Sequence, residues 1–303
     1  MKVSKLVDYV KENYADCEVC EQVDFEVNSV CNLDSIKSNS LVWVKNANGL
    51  KKIQDSEANN VLIIAEKACR VSKEDAWVVY VEGSKACFFD IVHSFFTRPE
   101  KREISSHSVV STQKIGRNVN IGDFSVIGEE VVIEDDVYVG NNVSIICPAV
   151  IGKGTIINDG VVIGTRGYGF YRKQTDEKIP VPHIGGVLIG ENVEIGANTC
   201  IDRGTLSNTV IEDGVKIDNL CHIAHNVHIG KNSMVIAHSM IGGSASVGEN
   251  VYIAPGVLVI NQCTVESNSL LGMGAVVTEN VGRNKVVVGV PAKPIRDNSK
   301  PII

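Results

Sequence analysis

The sequence lacks any long apolar run. Of its 303 residues 44% are hydrophobic, yet its apolar stretches are short, such as VLIIA at 61–65. A bilayer-spanning helix needs about 20 consecutive apolar residues. The first ten residues, MKVSKLVDYV, place charges inside what would be the apolar part of a secretory signal. We therefore expect no membrane span and a cytoplasmic location.

The sequence also lacks an excess of basic residues, and its cysteines lack the spacing of a disulfide framework. Its formal net charge is −7, with 29 Lys and Arg against 36 Asp and Glu, so it offers no basic surface for nucleic acid. The nine cysteines are odd in number and scattered over the whole chain. A disulfide framework has an even number at regular spacings, so free thiols are expected.

An aliphatic residue recurs every six positions over most of the chain. The unbroken series is Ile115, Ile121, Ile127, Ile133, Val139, Ile145, Ile151, Ile157 and Ile163. The register resumes at Ile189, Ile195 and Ile201, then at Ile211, Ile217, Ile223, Ile229, Val235, Ile241, Val247, Ile253, Val259, Val265 and Leu271. A period of six matches neither an amphipathic helix nor a lone strand. It predicts a parallel β-helix in which three six-residue faces form one triangular coil and residues 18 apart are stacked.

Breaks in this register predict where loops leave the β-helix. The segment 165–186 is interpreted as a projecting loop, and 203–208 as a shorter irregularity. The first hundred residues show no six-residue repeat. Helical periodicity at 3–10 and strand-like runs such as SLVWV predict a small α/β domain there. We expect domains at 1–98 and 108–296, a linker at about 98–108 and a tail at 297–303.

Three histidines lie close together in KIDNLCHIAHNVHIG, residues 216–230. His222 and His228 occupy the same position of successive hexads, which places them on adjacent faces pointing apart. The spacing therefore predicts no metal site within one chain, although one shared between subunits stays open. His225 follows Ile223 by two residues and faces outward near a turn. It is either a general base, with Asp218 as its carboxylate partner, or a plain surface histidine.

The run IGTRGYGF and the run from VLIGENVEIGANTC to HIAHNVHIG resemble the UDP-3-O-acylglucosamine N-acyltransferases (LpxD), left-handed β-helix enzymes of lipid A synthesis. The resemblance covers about 100–265 well and the first domain more weakly. It implies a left-handed parallel β-helix, a homotrimer and active sites in clefts between subunits. It further implies that His225 is the base, that Asp218 orients it, and that the Gly243 backbone N–H binds the oxyanion.

The same resemblance points to residues that contact substrate, and it has departures. The predicted contacts are Trp43 and Asn46 in the first domain, Tyr168 and Phe170 in the projecting loop, and His222. Trp43 aligns with a phenylalanine that holds the uracil ring in the family. The family's tyrosine is replaced by Gly49, and its second histidine by Cys263. In the family that tyrosine also holds the uracil ring, and that histidine assists at the thioester.

The closing segment LLGMGAVVTENVGRNKVVVGVPAKPIR, 270–296, resembles a second group, the acetyl-CoA-dependent sugar acetyltransferases of the hexapeptide superfamily. It stands where the first family has a helical extension. This likeness assigns Gly272, Ala275, Lys293 and Arg296 to binding of the donor, with the two cations near the phosphates of coenzyme A.

These patterns predict an N-acyltransferase with no permanently bound cofactor. The first interpretation is transfer of acetyl from acetyl-CoA to the amine of a nucleotide-linked amino sugar, for a surface glycan or glycolipid. The alternative is a true LpxD activity, which takes a 3-hydroxyacyl chain from acyl carrier protein to UDP-3-O-acylglucosamine. A third hypothesis is a trimeric binding scaffold without catalysis. The arrangement of His225, Asp218 and Gly243 argues against that third hypothesis.

Overall fold

The computed structural model describes residues 1–71, 73, 75–97, 102–174 and 177–297. The chain forms two compact units, Met1–Glu100 and Lys101–Ile303. Residues 98–101 of the predicted linker and residues 298–303 of the predicted tail lie outside the described part. Each unit is considered by itself below.

The regular elements are few helices and many short strands. The helices are α1 Val3–Asn13, α2 Ala47–Gln54 and α3 Ser84–Phe95. The strands of the first unit are β1 Glu18–Cys20, β2 Ser29–Val30, β3 Ser40–Val44, β4 Val61–Ala65 and β5 Ala76–Tyr80. Those of the second unit are β6 Val109–Val110, β7 Asn120–Ile121, β8 Val126–Ile127, β9 Val131–Ile133, β10 Tyr138–Val139, β11 Ser144–Ile145, β12 Ala149–Ile151, β13 Ile156–Ile157, β14 Val162–Thr165, β15 Phe170–Arg172, β16 Lys178–Pro180, β17 Val187–Ile189, β18 Glu194–Ile195, β19 Cys200–Asp202, β20 Thr209–Ile211, β21 Lys216–Ile217, β22 His222–Ile223, β23 His228–Ile229, β24 Met234–Val235, β25 Met240–Ile241, β26 Ser246–Val247, β27 Tyr252–Ile253, β28 Leu258–Val259, β29 Thr264–Val265, β30 Leu270–Leu271, β31 Val276–Val277, β32 Lys285–Val288 and β33 Lys293–Asp297.

The first unit is a five-stranded sheet in the order β1-β5-β4-β3-β2, covered by helices on both sides. All pairs are parallel except β1 with β5. The central strands are continuous apolar runs because both of their faces are buried. Neighbouring residues of β3 therefore enter opposite cores, Leu41 with α1 and α3, and Val42 with Ile53 of α2. The predicted α/β organisation is confirmed.

The second unit is a parallel β-helix built from three stacked sheets. We call them the first face (β33-β32-β30-β27-β24-β21-β18-β13-β10-β7), the second face (β31-β28-β25-β22-β19-β14-β11-β8-β6) and the third face (β29-β26-β23-β20-β17-β12-β9). Within these three faces the described strands pair in parallel, except that β33 returns antiparallel to β32. The hexad aliphatics fill the interior: Ile145, Ile163 and Ile223 are each 0% exposed. The predicted fold class, mainly β with a left-handed β-helix, is confirmed.

The two register breaks are the points where chain leaves the β-helix. Ser144 pairs with Val162 at the regular sequence spacing of one coil. Val162 then pairs with Cys200, a longer spacing, because the segment 165–186 lies between them in sequence. That segment contains an antiparallel hairpin of β15 and β16, which period-six analysis could not reveal. We call 165–186 the hairpin insertion. Among the described residues, no helix combines the length and apolarity needed to cross a membrane.

Candidate active site

His225 lies at the corner between the second and third faces, with Gly243 stacked on it. The ladder sets this register, because Ile223 pairs with Ile241 and the Ser244 N–H donates to the His225 carbonyl at 2.9 Å. A Cβ atom on Gly243 would lie 2.7 Å from the His225 Nε2 atom. Only glycine leaves room for the ring here. In the described part of the chain, no backbone carbonyl accepts the Gly243 N–H. The predicted stacking of these residues is present in the structure.

The Asn226 side chain determines which nitrogen of His225 carries the proton. The Asn226 amide donates through Nδ2 to the Ser207 carbonyl at 3.1 Å, and its Oδ1 accepts from the Thr205 N–H at 3.0 Å. That Oδ1 also lies 3.0 Å from His225 Nδ1. Because the carbonyl oxygen can only accept, Nδ1 carries the hydrogen and Nε2 keeps its lone pair. His225 is thus held in the tautomer that a general base needs on the side of Gly243.

The hairpin insertion covers His225 within the same chain. Gly167 approaches so closely that a Cβ there would lie 2.7 Å from His225 Cδ2 and 2.5 Å from His183 Nε2. The His183 and His225 rings meet edge to face with centroids 5.1 Å apart. His183 is 8% exposed, and its Nδ1 lies 2.9 Å from the Val181 carbonyl oxygen. Sequence reasoning missed His183, since it lies outside the hexads.

Asp218 does not meet His225 within one chain. It follows Ile217 at the corner between the first and second faces, one corner away from His225. Its carboxylate accepts the backbone N–H of Asn219 at 2.7 Å and of Ala237 at 3.2 Å. The expectation that Asp218 holds the His225 ring is therefore not met inside a single chain, where Asn226 does so.

Asp218 instead lines a groove of about 740 Å³ on the β-helix. The groove runs along the first face from Tyr138 to Met234. Its wall carries one cation, Lys216, and the carboxylates of Asp159, Glu194 and Asp218. Tyr138 and Met234 belong to β10 and β24, which are separated by three strands of that face. At roughly 4.8 Å per strand the groove is about 19 Å long.

The three histidines occupy three different settings. His222 lies on the second face with Nε2 3.6 Å from the Asp202 carboxylate, and His228 lies on the third face with Nε2 3.0 Å from Glu212. His222 and His228 do not come together with His225. The hexad register predicts this separation. His222 is half-buried on a flat face, and its predicted contact with substrate stays a prediction.

Of the other predicted substrate contacts, some side chains are exposed and others make hydrogen bonds within the protein. In the hairpin insertion, Tyr168 is 88% exposed and packs edge to face on the exposed Phe170. Their predicted contact with substrate also stays a prediction.

In the first unit, the Asn46 side chain caps α2 by accepting the Gly49 N–H at 3.2 Å. The Trp43 indole donates to Ser84 Oγ at 2.8 Å and stacks on Phe88. Gly49 is buried, and a Cβ there would lie 3.0 Å from Leu33. An aromatic side chain at position 49 would therefore force the surrounding chain to move.

The predicted donor-binding residues are spread over the last coil. Ala275 is fully buried in the β-helix core, so its methyl group cannot reach a donor. Gly272 is close to Val288, while Lys293 and Arg296 lie on the exposed strand β33. The two cations are thus available to an anion, and the alanine side chain is not.

The buried cysteines of the β-helix have no sign of activation. Cys221 and Cys263 are 3% exposed, and burial raises the pKa of both thiols above the ordinary value. Neutral thiols are poor nucleophiles. All nine cysteines are free.

Comparisons with known proteins agree with this fold. The family "Bacterial transferase hexapeptide (six repeats)" matches residues 208–243. A UDP-3-O-acylglucosamine N-acyltransferase of Helicobacter pylori is 32% identical over 283 residues, which are 83% of this chain and 77% of the relative. The Delftia acidovorans protein of the same name is 39% identical over 137 residues, but this match spans only 45% of this chain and 40% of that protein.

Solved structures show the same architecture. A UDP-N-acetylglucosamine acyltransferase superposes with a TM-score of 0.57 at 23% identity, over 63% of this chain and 73% of its own. LpxA from Acinetobacter baumannii gives 0.58 at 20% identity, over 64% and 74%. The hexapeptide family model and the named relatives place the chain in the class of hexapeptide-repeat acyltransferases. Within that class, the chain belongs to the UDP-3-O-acylglucosamine N-acyltransferase family.

Proposed function

We propose that this protein transfers a 3-hydroxyacyl chain from acyl carrier protein to the amine of UDP-3-O-acylglucosamine. The observation that carries the proposal is the oriented His225, whose Nε2 lone pair lies beneath Gly243. The relatives' names supply the acceptor, and they favour this activity over the acetyl transfer that the closing segment suggests.

The mechanism uses this chain's own groups at each step. The substrate amine attacks the thioester carbonyl carbon while His225 Nε2 takes the proton from nitrogen. The carbonyl oxygen becomes an oxyanion that the Gly243 N–H stabilises; such a donor contributes about 3 kcal/mol. The intermediate then collapses, the carbon–sulfur bond breaks, and the imidazolium returns the proton to the leaving thiolate. No covalent enzyme intermediate forms, in keeping with the raised pKa of the Cys221 and Cys263 thiols.

A threefold assembly would complete the site. Asp218 and His225 lie at the two corners that flank the second face. If that face turns toward a threefold axis, the Asp218 corner of one chain comes beside the His225 corner of the next. In each of the strands β8, β11, β14, β19, β22, β25, β28 and β31, the residue just before the core aliphatic points outward. None of these outward residues is Lys, Arg, Asp or Glu. They are Val126, Ser144, Val162, Cys200, His222, Met240, Leu258 and Val276. This composition suits a subunit interface. The third face is equally free of such charges, so it is the position of Asp218 and His225 that selects the second face.

The groove beside Asp218 is long enough for a donor with a long acyl chain, and Met234 and Ile236 form an apolar part of its wall. Its length of about 19 Å, from the strand spacing, far exceeds an acetyl group. In the trimer this groove would open next to the His225 of the adjacent chain, so an acyl chain bound there would present its thioester to the base.

The donor is tested by supplying two thioesters to the same enzyme. UDP-3-O-acylglucosamine is incubated either with a 3-hydroxyacyl acyl carrier protein or with acetyl-CoA, and the product is followed by mass spectrometry. We expect the hydroxyacyl product only, at a rate that falls in His225→Ala. Acetyl transfer as the main reaction would overturn the proposed donor, and no transfer from either would overturn the proposed function.

The shared site is tested by complementation. His225→Ala and Asp218→Asn are each expected to be weak as pure trimers. Co-expressed with different tags and purified through both, they should regain activity, because one site pairs an intact His225 with an intact Asp218. A mixture of His225→Ala with the double variant is the matched control and should stay inactive. Mixed trimers without regained activity would contradict a site built from two chains.

A further inference from the structure

A second cluster of reactive side chains lies on the second face, apart from His225. Cys200, Asp202 and His222 each offer one ligand atom, and these atoms all lie within 4.8 Å of one another. Cys200 and Asp202 are two residues apart on β19 and therefore point to the same side. His222 is the direct ladder partner of Cys200 on β22. The β-helix thus brings thiol, carboxylate and imidazole together across the 22-residue spacing that the 203–208 irregularity creates.

We propose that these three residues bind a divalent transition cation of the Zn²⁺ type. Thiolate, imidazole and carboxylate are the protein ligands of zinc, with bond lengths of about 2.3, 2.0 and 2.1 Å. Those lengths put tetrahedral ligand atoms about 3.3 to 3.6 Å apart. The His222 Nε2 and Asp202 Oδ2 atoms are 3.6 Å apart, within that range. A water molecule or a group from another subunit would complete the fourth position.

Thr165 supports the cluster from the side. Its hydroxyl lies 2.6 Å from Asp202 Oδ1, which leaves Oδ2 to face His222, and 3.3 Å from Cys200 Sγ. Hydrogen bonds of this kind orient metal ligands and adjust their affinity. Asp202 is 5% exposed, and a carboxylate so buried is stabilised by a neighbouring positive charge.

Binding would release a proton and link the bases of two segments that lie outside the hexads. It breaks the Cys200 S–H bond, forms a metal–sulfur bond and passes the proton to solvent. Thr165 is the first residue of the hairpin insertion, and Asp202 directly precedes the 203–208 irregularity. The cation would therefore fix the bases of both segments that surround His225, a structural role rather than a catalytic one.

The test uses the full-length protein from cells grown with cobalt, so that the ion is present during assembly. We expect one cobalt per chain, tetrahedral visible bands and a sulfur-to-cobalt charge-transfer band. Cys200→Ser should remove the charge-transfer band, and His222→Ala should lower the metal content. Thr165→Val should weaken affinity by about 10- to 100-fold. Removing the metal should lower the thermal midpoint of the wild-type protein.

His228→Ala is the matched control, because His228 holds the same hexad position on the third face and pairs with Glu212 instead. It should keep the full metal content. Substoichiometric metal in the wild type, or equal content and spectra in Cys200→Ser, would overturn the proposal and leave Cys200, Asp202 and His222 as a plain ion pair with a neighbouring thiol. None of these readouts depends on acyl transfer.

Discussion

His225 Nδ1 lies 3.0 Å from Asn226 Oδ1, so that neighbouring residues in sequence fix the tautomer of the candidate base. Asn226 can do this because it occupies a corner with φ of 60°, a conformation that asparagine adopts readily. Asn226→Ala should remove the orienting acceptor. Loss of one such hydrogen bond costs about 1 kcal/mol, or about fivefold in kcat. Steady-state kinetics with thioester donor checks this, and a lowered kcat with unchanged KM is expected.

His225→Ala should lower kcat by about two to four orders of magnitude, the usual scale for loss of a general base. The thermal midpoint should change little, because His225 is only half-buried. His228→Ala is the control on the next face and should retain activity. Near wild-type turnover by the His225 variant would remove this residue from the proposed role.

Gly243→Ala should disable the site although it replaces no titratable residue. The added methyl carbon would lie 2.7 Å from His225 Nε2, so the ring must leave its position beneath the N–H donor. We expect kcat to fall by at least about tenfold, which corresponds to 1.4 kcal/mol. Gly282→Ala is the matched control, since a Cβ there would have Lys285 Cγ, 4.0 Å away, as its nearest neighbour. Equal activity of the two variants would contradict the close packing of Gly243 on His225.

His183→Phe should raise KM, and loss of the Nδ1–H bond to Val181 should lower the thermal midpoint slightly. The Nδ1–H donates to the Val181 carbonyl, so the buried Nε2 is an acceptor, and it has no hydrogen-bond partner among the described residues. A substrate N–H or O–H would supply that partner, at a gain of about 1 kcal/mol, or fivefold in KM. Phenylalanine keeps an aromatic ring against His225 but loses Nε2 and also the Nδ1–H bond to the Val181 carbonyl. An unchanged KM would show that Nε2 does not contact substrate.

Asp213 should contribute stability at neutral pH that disappears in acid. The pKa of its carboxylate is lowered by the hydrogen bond from the Glu191 backbone N–H and then by Lys231. A lowered folded-state pKa stabilises the fold above the ordinary carboxylate value, and this stability is lost as pH falls through the folded value. Asp213→Asn should cost under about 1 kcal/mol at pH 7, because the pair is exposed, and nothing near pH 2. Thermal unfolding at both pH values checks this; an equal cost at both would contradict it.

The period-six pattern predicted more of the structure than any single motif. It located the core aliphatics, the two register breaks and the stacking of Gly243 on His225, because each depends on counting along a regular ladder. It also correctly placed His222 and His228 on different faces of the β-helix. The hairpin in the insertion and the contact of His183 with His225 were not predictable, because chain outside the hexads follows no period.

The sequence by itself determined the β-helix and the α/β unit, since local periodicity encodes which side chains are buried. The choice of His225 as candidate base came from the family resemblance of the motif around it. Only the tertiary structure showed that Asn226 rather than Asp218 holds His225 within a chain, and that Cys200 and Asp202 meet His222. Asp218 and His225 are seven residues apart, yet they lie on different corners, because each six-residue face turns the chain by one side of the triangle. Cys200 and His222 are far apart in sequence, yet they touch because the ladder stacks successive coils.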